Sequence, residues 1–245
     1  MTLRVDITIR DLHSRDEMAD VLRVADAVWG IAPGGLVGPD FLVALAHADG
    51  YVVGAYDSSH RMVGMSFGFM GRHDGDPILH SHVTGIVPEL QNHGLGATIK
   101  RHQREWAATR GLHAVTWTFD PLVRRNAWFN LQRLGARAVE YHVNFYGPLG
   151  DDINGDDESD RLLARWDIEE FTMQVNDSRF SDSRFTVPTP EDIVALRHAH
   201  PDEARRWRVR LREQLAPLLR THDATGVTAD GDYVVTPKPY RTETS

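Results

Sequence analysis

Val83-Thr84-Gly85-Ile86-Val87-Pro88-Glu89-Leu90-Gln91-Asn92-His93-Gly94-Leu95-Gly96 is the stretch whose reading decides the fold. A β-type run ends in a turn with glycines at 94 and 96. A helical pattern begins at once, with Leu95, Ile99, His102 or Gln103, Trp106 and Ala107 along one side of residues 95–109. The first turn of such a helix carries N–H groups without intrahelical partners and the positive end of the helix dipole, which together suit a diphosphate. Gly94 and Gly96 lack the Cβ atoms that would hold an anion away from the backbone. Two other glycine motifs are excluded. A P-loop needs Gly-Lys-Ser/Thr, and a dinucleotide fingerprint needs a further glycine where Ile99 stands. Taken alone, two glycines here also fit a plain tight turn.

Working outward, Tyr51–Tyr56 and Met62–Gly71 are β-type runs separated by Asp57-Ser58-Ser59-His60-Arg61, a hairpin, and Leu79–Val87 is the strand that enters the quoted turn. Upstream, Val5–Arg10 reads as a strand. Residues 15–28 read as a helix capped by Ser14, with Glu17 completing a capping box. A loop at Trp29–Gly35 and a short helix at Pro39–His47 follow. Downstream come a strand at Ala114–Phe119, a helix at Arg124–Leu134 stopped by Gly135, and strands at Ala138–Tyr146 and Arg161–Ile168. The acidic run 151–160 fails as a calcium loop, because Gly155 in sixth place puts Gly150 first and Arg161 twelfth; it reads as a solvated turn. Pro201 opens an amphipathic helix with Ala204, Trp207, Leu211, Leu215 and Leu218 on one face. Its arginines 205, 206, 208, 210 and 212 read as a solvated face, with a contact to an acidic substrate or a partner subunit as the next reading. The expectation is an α/β (α+β) chain, with a main domain at 1–168 and a mainly helical extension at 169–245.

Composition narrows the function. The chain has 245 residues, 41% hydrophobic and 25% charged, as soluble globular domains do. It has no apolar run long enough for a membrane span and no apolar leader, so neither membrane association nor export is expected, and cytoplasm is the default. Zero cysteines exclude disulfides, thiolate zinc and a cysteine nucleophile. A net charge of −8 argues against nucleic-acid binding, which requires a basic surface.

Gln91-x-x-Gly94-x-Gly96, after a strand ending Ile86-Val87-Pro88, resembles the coenzyme A motif of the GNAT superfamily of N-acyltransferases, and the order of elements over residues 4–168 matches it. Trp117-Thr118-Phe119-Asp120-Pro121-Leu122 and Asn126–Asn130 resemble a longer branch of predicted acetyltransferases. The resemblance implies a mixed, mostly antiparallel sheet whose central strands splay apart, with helices on its faces. It implies acetyl-CoA or another acyl-CoA as co-substrate, no metal, and a small amine as acceptor. Pantetheine would bond backbone at Gly85, Ile86 and Val87. The diphosphate would meet Gln91, Asn92, His93, Gly94, Leu95, Gly96 and Ala97, and Asn126 would contact the cofactor. An N–H near Ile86 would polarise the thioester carbonyl.

An acceptor amine must lose a proton before it attacks. His80 and His82, two apart on a strand, point the same way and have the pKa range of a base. A His-x-His pair nine residues before Gln91 also resembles arylalkylamine N-acetyltransferases, which implies His82 as base or water relay with His80 behind it. Two other readings stand beside this one: satisfied half-buried histidines, and a metal pair that lacks an evident third ligand. Where many of the family carry a tyrosine that protonates the departing thiolate, this chain has Leu131. Tyr146 or Tyr141 would substitute, or the thiolate leaves unassisted. Trp29, Asp120 and Asn144 are candidate acceptor contacts, though Trp29 also fits a core position and Asp120 also fits the start of a turn before Pro121. A homodimer is a further partner expectation.

Overall fold

The computed structural model describes residues 6–30, 37–147, 157–169 and 184–238. The chain falls into two compact units, Met1–Thr116 and Trp117–Ser245. The expected loop 29–35 lies largely outside the described residues, as does most of the acidic run 151–160.

In the first unit, β1 (Thr8–Asp11), β2 (Tyr51–Tyr56), β3 (Met62–His73) and β4 (Asp76–Ile86) are antiparallel neighbours in chain order. β5 (Ala114–Phe119) joins β4 in parallel through Ala114–Thr116 opposite Ile78–His80. Helix α1 (Arg15–Trp29) begins with the capping box its sequence announces. The Glu17 N–H donates to Ser14 Oγ and the Ser14 N–H to Glu17 Oε2. Gly30 ends it in the left-handed region at φ 63°. Helix α2 (Pro39–His47) and helix α3 (Leu95–Thr109) match their periodicity. Successive residues of β3 alternate between the two faces of the sheet. Odd residues of β3, Met65 and Phe67, join Met18, Val21, Val24 and Ala25 of α1 in one apolar cluster. Even residues face α3: a Cβ on Gly64 would lie 3.2 Å from Ile99 Cδ1.

In the second unit, helix α4 (Arg124–Ala127) continues into a π-helical turn, Trp128–Arg133, in place of one α-helix to residue 134. Leu134 donates to Phe129 O, five residues back, and Trp117 Nε1 donates to Asn130 Oδ1 at 3.1 Å within that wider turn. β6 (Arg137–His142) stops before the expected Tyr146, because Asn144 takes φ 46° in a turn over residues 143–146. β7 (Arg161–Asp167), β8 (Phe185–Val187), helix α5 (Ile193–Ala199), helix α6 (Pro201–Leu218), β9 (His222–Val227) and β10 (Tyr233–Pro237) follow. Their strand order is β7-β6-β9-β10-β8, all antiparallel. The segment after residue 168 therefore supplies strands as well as helices.

Arg205, Arg206 and Arg210 of α6 are exposed, as a solvated face requires, but Arg208 and Arg212 depart from that reading. Arg208 is buried against Asp157 at 2.8 Å, and Arg212 bonds Asp160 and Glu158. Asp160 in turn is fully buried and accepts from Tyr141 Oη at 2.6 Å and from the Asn144 N–H at 2.9 Å. Although burial opposes ionisation, these bonds from Arg212 and Tyr141 hold the Asp160 carboxyl below its usual range. The described end of the acidic run, Asp157–Asp160, is thus a counter-charge and not a solvated turn.

Candidate active site

The first unit gathers its candidates on β4 and the turn beyond it. The pairing of β3 with β4 slips once. Phe67 stands opposite Val83 and Gly68 opposite Ser81, so His82 is the extra residue of a β-bulge. Gly68 permits this: a Cβ there would lie 2.4 Å from His80 O and 3.1 Å from Ser81 Cα. The bulge leaves His80, His82 and Val83 all on the α1 face of the sheet. The His82 ring lies 5.7 Å from Phe67 and 6.1 Å from Phe69, and the His80 ring lies 5.2 Å from Phe69. The two imidazole centroids are 6.4 Å apart. Trp29, the last residue of α1, reaches the same face, where a Cβ on Gly85 would meet its Cη2 at 3.0 Å.

Both histidines are kept neutral. Burial first, then neighbouring His82 and Lys100, push His80 down to about 4. Its Nδ1 is 3.1 Å from Thr116 Oγ1. His82 presents its ring to solvent, yet enough protein surrounds it that desolvation lowers its pKa as well.

Past the bulge, main-chain direction becomes the useful quantity. Val87 N–H donates to Val63 O at 3.0 Å while Gly64 stands opposite Ile86, which makes Gly64–Ile86 a pair without mutual hydrogen bonds. The N–H and C=O of Ile86, and by the two-residue period those of Thr84, therefore point to the outer edge of β4. The parallel ladder ends at His80–Thr116, so Ser81–Ile86 have no strand partner on that edge within the unit. Gln91 Nε2 donates to Ile86 O at 3.0 Å and closes the turn, and a 3-10 turn at Pro88–Leu90 fills it.

The turn itself is shaped as an anion seat. Asn92 and Gly94 both adopt positive φ, 63° and 88°, which turns successive amides inward. No protein acceptor is found among the described residues for the N–H groups of Asn92, His93, Gly94, Leu95, Gly96 and Ala97, and α3 has no side-chain cap. A Cβ on Gly94 would meet nothing within 4 Å, so the space in front of the turn is open. His93 points its Nδ1 back to Gln91 O at 2.7 Å. These features fit a diphosphate-bearing cofactor.

The second unit holds the remaining candidates. Asp120 is buried, with Arg197 Nη2 2.6 Å from its Oδ2, and its Oδ1 accepts the Leu122 N–H at 2.9 Å. Its charge is matched and it starts the turn, so it is not held free for an ammonium. Asn144 ties its turn to the residue two before β7: its Oδ1 accepts the Ser159 N–H at 3.2 Å, and the residue is otherwise exposed. Tyr146 is exposed, and its hydroxyl pairs with Thr118 Oγ1 at 3.1 Å. Tyr141 is spent on Asp160. Asn126 lies half-buried in α4, and Leu131 is buried in the π-helical turn.

Sequence reading missed Gly68 and the polar residues behind β4. Lys100 and Gln103 of α3 both reach Ser81 Oγ, at 2.9 and 2.8 Å. Gly68 is one of three glycines in β3, with Gly64 and Gly71, so a glycine in the strand pattern signalled a bulge without saying at which position.

No protein-family model and no curated protein matches the sequence. Solved structures match its fold. The ribosomal-protein-S18-alanine N-acetyltransferase of Escherichia coli aligns at TM-score 0.53 and 12% identity, over 69% of this chain and 99% of its own. NAA60 of Arabidopsis thaliana in complex with acetyl-CoA aligns at 0.53 and 12%, over 66% and 99%. An acetyltransferase of the GNAT family from Streptococcus pneumoniae aligns at 0.50 and 16%, over 66% and 99%. The chain has the GNAT acetyltransferase fold.

Proposed function

We propose that this chain transfers an acyl group, acetyl most simply, from coenzyme A to the amine of a small acceptor. One observation carries the reading. A single strand presents a neutral histidine at a bulge, then N–H groups turned to an unpaired edge, and runs into a turn of partnerless amides. The amides of Asn92 to Ala97 would hold the diphosphate, and the outward-directed groups of Thr84 and Ile86, in place of those of Gly85 and Val87 that face β3, would bond the pantetheine arm. Bound there, an acyl-CoA supplies a carbonyl carbon activated by its thioester.

The chain's own residues do the rest. The Ile86 N–H donates to the carbonyl oxygen as negative charge builds on it, fixed in place by the sheet and needing no reorganisation. His82, neutral at pH 7, accepts the acceptor's proton directly or through one water. His80, neutral and bonded to Thr116, backs it. Without cysteine, attack is direct, with both substrates held together. The departing thiolate leaves as the anion and takes its proton from solvent.

Leu131, buried where the resemblance leads one to expect tyrosine, favours a second reading: a module that binds acyl-CoA without turnover. Two measurements separate them. Calorimetry with acetyl-CoA tests the seat. Release of coenzyme A over a panel of small amines, together with a peptide bearing an N-terminal alanine, tests catalysis. In His82→Ala, turnover should fall at least about 100-fold while acetyl-CoA affinity changes less than about twofold. Binding with no release over the whole panel establishes the module. No binding ends both readings.

A further inference from the structure

The bulge at His82 is held from behind by groups that no step of the proposed reaction uses. Ser66 Oγ donates to Val83 O at 2.7 Å and meets Thr84 Oγ1 at 2.8 Å. Gln103 Nε2 donates to both Ser66 Oγ and Ser81 Oγ at 2.8 Å. Lys100 Nζ donates to Ser81 Oγ at 2.9 Å. Residues 81, 83 and 84, which flank His82 on both sides, are thus tied to α3 and β3. All of it is buried: Lys100 is 6% exposed, Ser81 3%, Ser66 1% and Gln103 0%.

We propose that Lys100, Gln103, Ser66 and Ser81 form a positioning brace that locks the β4 bulge. In doing so they set the His82 ring and the edge-directed N–H groups of Thr84 and Ile86 in one geometry. The inference rests on the acyltransferase reading only for its effect on rate; the geometric part stands without it.

Three considerations favour a brace over ordinary core packing. First, a bulge is the least constrained part of a ladder, since its extra residue has no cross-strand partner, and small displacements there swing the side chain it carries. Second, burying an ammonium group is costly, and a fold selected only for stability would place an apolar side chain at position 100. Desolvation pushes Lys100 down to about 7, the direction that burial of an ammonium dictates. Third, Gln103 Oε1 is buried with no partner among the described residues, so the network accepts an unsatisfied atom to keep its donors on both serines. Stability given up beside a candidate site is what pre-organisation requires.

The test uses the full chain with Lys100→Met, Ser81→Ala and Ser81→Thr. Lys100→Met keeps the length of the side chain and removes the buried ammonium, so its melting temperature should equal or exceed that of the parent. Turnover with acetyl-CoA and the best amine of the panel should nevertheless fall about 10- to 100-fold, in kcat and not in KM for acetyl-CoA. Ser81→Ala should do the same, and Ser81→Thr, which restores the hydroxyl, should recover most of the rate. In parallel, NMR of the His82 ring should show shifted or broadened signals in Lys100→Met and Ser81→Ala without any ligand. Unchanged His82 signals in both variants overturn the brace, whatever the activity. If the parent neither binds nor turns over acetyl-CoA, the acyltransferase reading fails while the NMR result still decides the brace. Should one variant fail to fold, the other decides.

Discussion

Replacing Gly68 by alanine tests the bulge with a single methyl group. The new Cβ would lie 2.4 Å from His80 O and 3.1 Å from Ser81 Cα, both main-chain atoms that cannot swing aside. Ordinary contact lies near 3.5 Å, so the His80–Ser81 backbone must retreat by about 1 Å. Overpacking of that kind costs about 1–3 kcal/mol. Removing a glycine from a strand interior returns roughly 0.5–1 kcal/mol. A net loss of about 1–2 kcal/mol in a chain of this size lowers the melting temperature by about 2–8 °C. The effect on rate should be larger than the effect on stability, because a 1 Å misplacement of a catalytic group can cost roughly 100-fold. Gly71→Ala is the matched control: it lies on the same strand, and its Cβ would find only Ile78 Cδ1 at 3.7 Å. That variant should be as stable as the parent or slightly more so, with unchanged turnover. Thermal unfolding and coenzyme A release, measured on both variants, decide the matter. If Gly68→Ala behaves like Gly71→Ala in both, the bulge does not depend on the missing Cβ and the placement of His82 is wrong.

The other expectations are simpler. Gly94→Ala should weaken acetyl-CoA binding by about tenfold or more, because its Cβ enters the open space before the turn. Gly111→Ala shares the positive φ and the open surroundings, so both should lose about 1–2 kcal/mol but only Gly94→Ala should lose affinity; equal affinities would dismiss the seat. Stability should rise with pH in two windows, because each group is easier to protonate once the chain unfolds. The penalty from His80 is absent above its ordinary 6.5 and grows as pH falls to about 4. The penalty from Lys100 is absent above 10.5, grows as pH falls to about 7 and is constant below. Denaturant midpoints at pH 7.5 and 9 should therefore differ in the parent and converge in Lys100→Met; a persistent difference would assign the effect elsewhere. Arg212→Met leaves the Asp160 carboxylate buried with one cation fewer and should cost about 3 kcal/mol by urea unfolding, against less than about 0.5 kcal/mol if that helix face were merely solvated.

Much of the fold was legible because its signals are local. Ser14 and Glu17 fixed the start of α1, and the 3.6-residue period of Leu95, Ile99, Gln103 and Trp106 fixed α3 with the correct face. The two β-runs around Asp57–Arg61 could hardly be other than a hairpin. Errors arose where partners lie far apart in the chain. Arg212 pairs with Asp160 and Asp120 with Arg197, separations of 52 and 77 residues, and no charge pattern within either segment reports such a contact. The acidic run and the arginine-rich helix each looked solvated because each was judged without the other.

The candidate site divides along the same line. Gly94 and the two histidines were legible, since a positive φ or a titratable ring leaves a mark at its own position, whereas Gly68, in extended backbone, was not. Lys100 was not, although it sits beside Ile99 on the buried side of α3. A lysine next to an apolar stripe is ordinarily read as snorkelling to water. One of its partners is the hydroxyl of Ser81 on another element, a residue that by itself looks like an incidental small side chain in a strand. Paired hydroxyls such as Ser66 and Ser81, on neighbouring strands beneath one helix, are then the sequence mark of a polar layer waiting for a long donor from the covering helix. Burial of a charged group at that place costs stability that a methionine would not. The cost falls directly behind the one residue of β4 that the ladder cannot hold, which is why the layer is better understood as a constraint on His82 than as part of the core.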